Sequence, residues 1–165
     1  MSFKITPCLW MDTEGETAAK FYTSIFPNSS ITHIQPYSTA GQSIHKHTPG
    51  SAMTIDFTLN NNPFQILNGG PEPKPNMATS FIIYVDDQKE LDYYFEKLGE
   101  GGDDEMKVCG WVVDKYGVSW QLVPRDLERW MKEGSQGQVE RVTDAFMGMK
   151  KLDIEGMRKA FEGEK

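Results

Sequence analysis

Two short stretches, Phe64-Gln65-Ile66-Leu67 and Trp120-Gln121-Leu122-Val123, share one pattern: an aromatic residue, a glutamine and two aliphatics, the first after an Asn/Pro turn and the second after a Tyr/Gly turn. An internal repeat restricts the possible folds more than any composition. Each copy must be one supersecondary unit that cannot hide its apolar surface alone. The surrounding elements keep the same order. Residues 3–11 read as a strand, and residues 13–26 carry helical spacing through Ala18, Phe21, Tyr22 and Ile25 until Pro27-Asn28 stops them. Alternation then predicts strands over 30–37, 51–59 and 64–68, the second of them marked by Met53, Ile55, Phe57 and Leu59. After the connection Gly69-Gly70-Pro71-Glu72-Pro73-Lys74-Pro75 the order restarts, with a strand over 79–85 and a helix over 88–98 whose Tyr93-Tyr94 answers Phe21-Tyr22. A glycine-rich turn, a short strand near 105–108, and strands over 110–114 and 118–123 complete it.

The expected fold class is α+β: duplicated βαβββ modules, about 3–69 and 78–124, pairing into a curved, barrel-like mixed sheet with outer helices. That domain is expected to span 1–125, followed by a helical extension over 126–165. In the extension Leu127, Trp130 and Met131 share one side, Ser135 and Gln138 read as a capping box before Val139, Val142 and Phe146, and Asp153 is placed to cap a last helix bearing Ile154, Met157 and Phe161. Such helices need a surface to cover, either their own domain or a second subunit. Strand parity assigns the faces. Val118, Trp120 and Leu122 should pack under helices, which turns Ser119, Gln121 and Val123 the other way, and the same rule turns Gln65 and Leu67 away from Phe64 and Ile66. Two glutamines are thereby aimed into an inter-module cleft.

A chain of 165 residues, 38% hydrophobic and 25% charged, suits one globular domain with a substantial core. Its formal net charge of −7 disfavours nucleic acid and anionic lipid as partners, and no run approaches the roughly 18 apolar residues that span a bilayer. Cys8 and Cys109 show no metal or disulfide spacing and read as buried thiols in a reducing, cytoplasmic setting. Asp86-Asp87 is placed to cap the second helix. His45-Lys46-His47 is an H-x-H pair, but it lies in a Gly/Ser/Thr/Pro-rich loop without acidic neighbours, so it reads as solvated loop, with a proton-carrying role as the alternative.

The segments 5–12 (ITPCLWMD), 18–22 (AAKFY), 25–29 (IFPNS), 67–71 (LNGGP), 109–111 (CGW) and 117–124 (GVSWQLVP), with MGMKKLDI at 147–154, together resemble the vicinal oxygen chelate superfamily of glyoxalase and bleomycin-resistance proteins. They resemble most its PhnB-like branch, labelled 3-demethylubiquinone-9 3-methyltransferase domain proteins, over roughly residues 3–125. The resemblance implies a paired-module cleft and frequent dimerisation. In metal-using relatives it also implies a divalent ion held from the first and last strands of each module, at positions that fall here near Ile5 or Thr6, at Gln65, near Ser80 and at Gln121. A glutamine oxygen is a neutral ligand that supplies no charge to offset an ion's desolvation, so no tight metal is expected. Each amide is then either satisfied by neighbouring strands or free to bind a ligand. Methyl transfer is not expected either, since Gly69-Gly70 precedes a proline-rich loop and Gly99-Glu100-Gly101-Gly102 follows a helix, neither being a strand-to-helix glycine turn. The reading that results is a cytoplasmic, homodimeric binder of an unidentified small molecule, without cofactor, using Gln65, Asn68, Ser80, Trp111, Ser119 and Gln121. The alternative is a divalent-metal-dependent isomerase, lyase or group-transfer enzyme.

Overall fold

The computed structural model describes residues 5–164; the N-terminal part of the strand expected over 3–11 lies outside them. The chain forms two compact units that meet at Pro75 and Asn76, so the C-terminal helices belong to the second.

In the first unit β1 (Cys8–Met11) leads into α1 (Gly15–Ile25), followed by β2 (Ser30–Pro36), a short helix α2 (Gln42–His45), β3 (Ala52–Leu59) and β4 (Asn62–Asn68). The sheet order is β1-β4-β3-β2, with β1 and β4 parallel and the other pairs antiparallel. This is the expected βαβββ module. The helix forms because Ala18, Ala19, Tyr22 and Ile25 recur on one side; all are buried, against Ile55, Phe57 and Ile66 of the sheet. Each such large side chain contributes about 1.5–3 kcal/mol by leaving water. Gly15 lets the helix start close to the sheet, since a Cβ there would sit 2.5 Å from Asn68 Oδ1 and 2.7 Å from Ile66 Cγ2.

The second unit runs β5 (Ser80–Val85), α3 (Gln88–Gly99), β6 (Trp111–Val113), β7 (Ser119–Pro124), then α4 (Arg125–Glu133), α5 (Gln136–Met147) and α6 (Ile154–Glu162). Asp87 caps α3, its Oδ1 accepting from Glu90 N at 2.8 Å, while Glu90 Oε2 accepts from Asp86 N. Leu91, Tyr94 and Leu98 pack on Val85, Val112, Trp120 and Leu122. The sheet order is β5-β7-β6, with β5 and β7 parallel. It has three strands where four were expected. The strand predicted near 105–108 is instead a 3₁₀ turn, Asp104–Met106, because the Asp103 carboxylate accepts from Glu105 N at 3.0 Å and Lys107 pairs with Asp104, both of which curl the backbone. The tail takes over part of the missing pairing: Cys109 N donates to Met149 O at 2.7 Å and Gly110 N to Lys150 O at 3.0 Å. Gln88 clamps the same segment, donating to Leu152 O and accepting from Ile154 N, and Leu152 is buried.

The tail helices carry the predicted apolar sides. Leu127, Trp130, Val142 and Met157 are buried, and Trp130 stacks on Phe161 at 5.2 Å. Ser135 and Gln138 form the expected capping box. Asp153 occupies the N-cap position of α6, but its side chain makes no capping bond. Arg141 closes the other end of α6 by donating to the Ala160 and Phe161 carbonyls.

Candidate functional site

In each unit the glutamine of the repeat sits on the strand that pairs in parallel with the unit's first strand. Gln65 lies in β4, in register with Cys8 of β1 and Asp56 of β3; Gln121 lies in β7, in register with Ile82 of β5 and Trp111 of β6. Parity therefore puts both on the sheet face opposite the helix, as the sequence predicted. Their surroundings differ.

Gln65 is oriented by a carboxylate. Its Nε2 donates to Asp56 Oδ1 at 2.7 Å, and its Oε1 faces the Cys8 thiol, which donates weakly at 3.6 Å. Partial desolvation of the sulfur against its neighbours, and then the Asp56 carboxylate, push the Cys8 thiol above its ordinary value although the residue as a whole is exposed, so it stays protonated at neutral pH and is a poor nucleophile. Cys8 is exposed and Cys109 half-buried, so neither is the core thiol expected; Cys8 falls on the helix-free face by strand parity. Next to Gln65 is a cavity of about 410 Å³ lined by Thr6, Thr32, Asp56, Thr58, Pro63 and Gln65, and by atoms of Phe57 and Phe64, whose rings pack toward α1. Asp56 escaped the sequence reading. Its signal was available: between the buried Ile55 and Phe57, it had to face the same way as Thr54 and Thr58.

In the second unit Gln121 Nε2 donates to Ser80 Oγ at 2.7 Å, and Ser119 stands beside Ser80 across the strand pair. Ser119 is 1% exposed and its Oγ has no hydrogen-bond partner among the described residues. Ser80, Trp111, Ser119 and Gln121 thus share one sheet face. Trp120 lies on the other, its Nε1 held by Asp114 Oδ2 at 2.8 Å.

Asn68 does not join Gln65. It falls on the helix side of β4, buried with Met11 and Ile66, where its Oδ1 accepts from Gly15 N at 2.9 Å and its Nδ2 donates to Ala52 O at 3.0 Å. Those bonds satisfy the start of α1, so Asn68 is a helix-anchoring residue and not one that lines the open face. His45 and His47 are not solvated loop. Their rings pack on buried Tyr37 at 4.7 and 4.3 Å, and His45 Nδ1 accepts from His47 N at 3.0 Å.

The positions that the resemblance implies for metal ligands, Ile5 or Thr6, Gln65, Ser80 and Gln121, carry no charged side chain, and both amides are already tied to a neighbour. Among the described residues no three His, Cys, Asp or Glu side chains stand close enough to share an ion. This donor set does not fit a tightly held divalent metal. The two strand-to-helix turns, Asp12-Thr13-Glu14 and Asp86-Asp87, are acidic and lack the glycine turn of a nucleotide-type methyl-donor site.

The family model described as 3-demethylubiquinone-9 3-methyltransferase matches residues 3–123. The chain belongs to this family. It is the PhnB-like branch of the vicinal oxygen chelate superfamily. Among solved structures, the PhnB protein from Bacillus cereus is 31% identical, with 74% of this chain and 99% of that one aligned and a TM-score of 0.61. A Pseudomonas aeruginosa protein of 18% identity aligns over 74% and 98% with a TM-score of 0.59. The fosfomycin resistance protein FosX from Listeria monocytogenes, 17% identical, aligns over 81% and 99% with a TM-score of 0.55. The last two show the fold alone. No curated protein sequence matches the chain.

Proposed function

We propose that this PhnB-like chain binds a small organic molecule in the cavity beside Gln65, without a tightly held divalent ion. The observation that carries the reading is the cavity itself: about 410 Å³, within the range of small-molecule sites, with an oriented amide, a carboxylate and three threonines lining it. The matching face of the second unit, with Gln121 tied to Ser80 and a buried, unpartnered Ser119 hydroxyl, is assigned a ligand-binding role of the same kind, with Trp111 as its aromatic wall. Metal-assisted isomerase, lyase or group-transfer chemistry, the alternative that the superfamily suggests, lacks charged ligands at the required positions. Methyl transfer lacks a donor site.

A thermal-shift screen of metabolite mixtures against the wild type and Gln65→Leu tests the reading. Compounds that stabilise the wild type and not the variant are expected. Stabilisation that is identical in the variant would remove the cavity beside Gln65 from the site.

A further inference from the structure

The cavity beside Gln65 is lopsided in charge. Asp56 is a carboxylate, Thr6, Thr32, Thr58 and Gln65 are neutral, and among the described residues no lysine, arginine or histidine bounds it. The hydrogen-bonding inventory leans the same way. Gln65 turns its nitrogen to Asp56 Oδ1 and its oxygen toward Cys8, so the amide offers the cavity an acceptor whose existing donor is only a weak thiol. Thr32 donates its hydroxyl hydrogen to Asp56 O at 3.1 Å, which leaves lone pairs outward. Of the two Asp56 carboxylate oxygens, Gln65 occupies Oδ1. The formal net charge of −7 adds a long-range field of the same sign.

From this imbalance we infer that the ligand is a small organic cation with an N–H-bearing head, a primary ammonium or an amidinium, paired to Asp56 with Gln65 Oε1 as the second acceptor. The inference rests on the reading of this cavity as a ligand site and narrows it. An anionic head would face Asp56 with no opposite charge among the described residues that bound the cavity to offset it, and a neutral one would forgo the stronger, charge-assisted bond. Pro63, which shares the Gln65 face of its strand, provides an apolar surface for the hydrocarbon part of such a molecule.

The test is an amide-resolved ¹⁵N NMR titration of the full chain with benzylamine, benzyl alcohol and benzoate at neutral pH and low salt. Benzylamine is expected to shift amides over 54–58 and 63–66 saturably, with affinity falling about tenfold or more in Asp56→Asn. The asparagine oxygen can still accept from Gln65 Nε2, so the amide keeps its orientation. Should that variant fail to fold, Thr32→Lys, at an exposed edge-strand position, sets a competing ammonium beside Asp56 and should produce the same loss. Benzoate binding as tightly as benzylamine, or benzylamine affinity untouched by Asp56→Asn or Thr32→Lys, overturns the cation preference while leaving the cavity a binding site. If none of the three probes shifts these amides, the cation inference and the binding reading fall together.

Discussion

Asp114 shows what one buried polar residue does in this chain. It is 2% exposed, yet Oδ1 accepts from Tyr116 N at 2.8 Å and Val118 N at 3.1 Å, while Oδ2 accepts from Trp120 Nε1 at 2.8 Å. The turn between β6 and β7, and with it the parity that turns Gln121 away from the helices, depends on those bonds. Asp114→Ala strands three donors and should cost about 3 kcal/mol or more, measured by urea unfolding. Asp92 works at the surface. The hydrogen bond from Lys151, then that from Gln88, holds its carboxyl below the ordinary carboxylate value. A lowered folded-state pKa means the stabilisation is present at neutral pH and disappears as the pH falls below about 4, through the folded-state value. Both partners are exposed, so the effect is a few tenths of a kcal/mol and is screened by salt. The stability gap between wild type and Asp92→Asn should therefore be small at pH 7 and close toward pH 3. The candidate site was partly legible at this scale. Period-2 parity placed Gln65 and Gln121 on the open faces from sequence alone. The same parity, applied to Asn68, puts it with Phe64 and Ile66 under the helix, and applied to β3 exposes Asp56; attention to the apolar set hid both.

At the scale of elements, the helix-on-sheet contact of the first unit turns on Gly15. A methyl group there meets Asn68 Oδ1, Ile66 and Ile55 within 2.8 Å, so Gly15→Ala must push α1 off the sheet or break the Asn68 bond that anchors it. A loss of about 1–3 kcal/mol is expected by chemical denaturation, despite alanine's better helix propensity. The strongly periodic elements, α1, α3, β3 and β7, were readable because each has a buried face that repeats. The strand expected near 105–108 was not, because the local Asp103 carboxylate and the Lys107–Asp104 pair favour a turn, and the backbone partner of the adjoining Cys109-Gly110, Met149-Lys150, lies some forty residues along the chain. Pattern reading sees local alternation and misses such distant pairing. Cys8 was misjudged for a related reason: cysteine's usual burial says nothing about which face of an edge strand it takes.

At the scale of the molecule, two units with one plan differ in chemistry. Where the first sets Asp56 beside its glutamine, the second sets Trp111. Sedimentation velocity checks the homodimer expected from the sequence; among the described residues no helix is long and apolar enough to cross a membrane. The central claim is that this member of the family presents amides and a carboxylate to an organic ligand without a tight ion. Metal content by plasma mass spectrometry tests it most directly, on untagged protein purified without chelator and then equilibrated with zinc, nickel, manganese or iron(II) and desalted. Far less than one ion per chain is predicted for every metal. One retained ion per chain that is lost in Gln65→Ala or Gln121→Ala would contradict the claim and return the chain to metal-assisted chemistry.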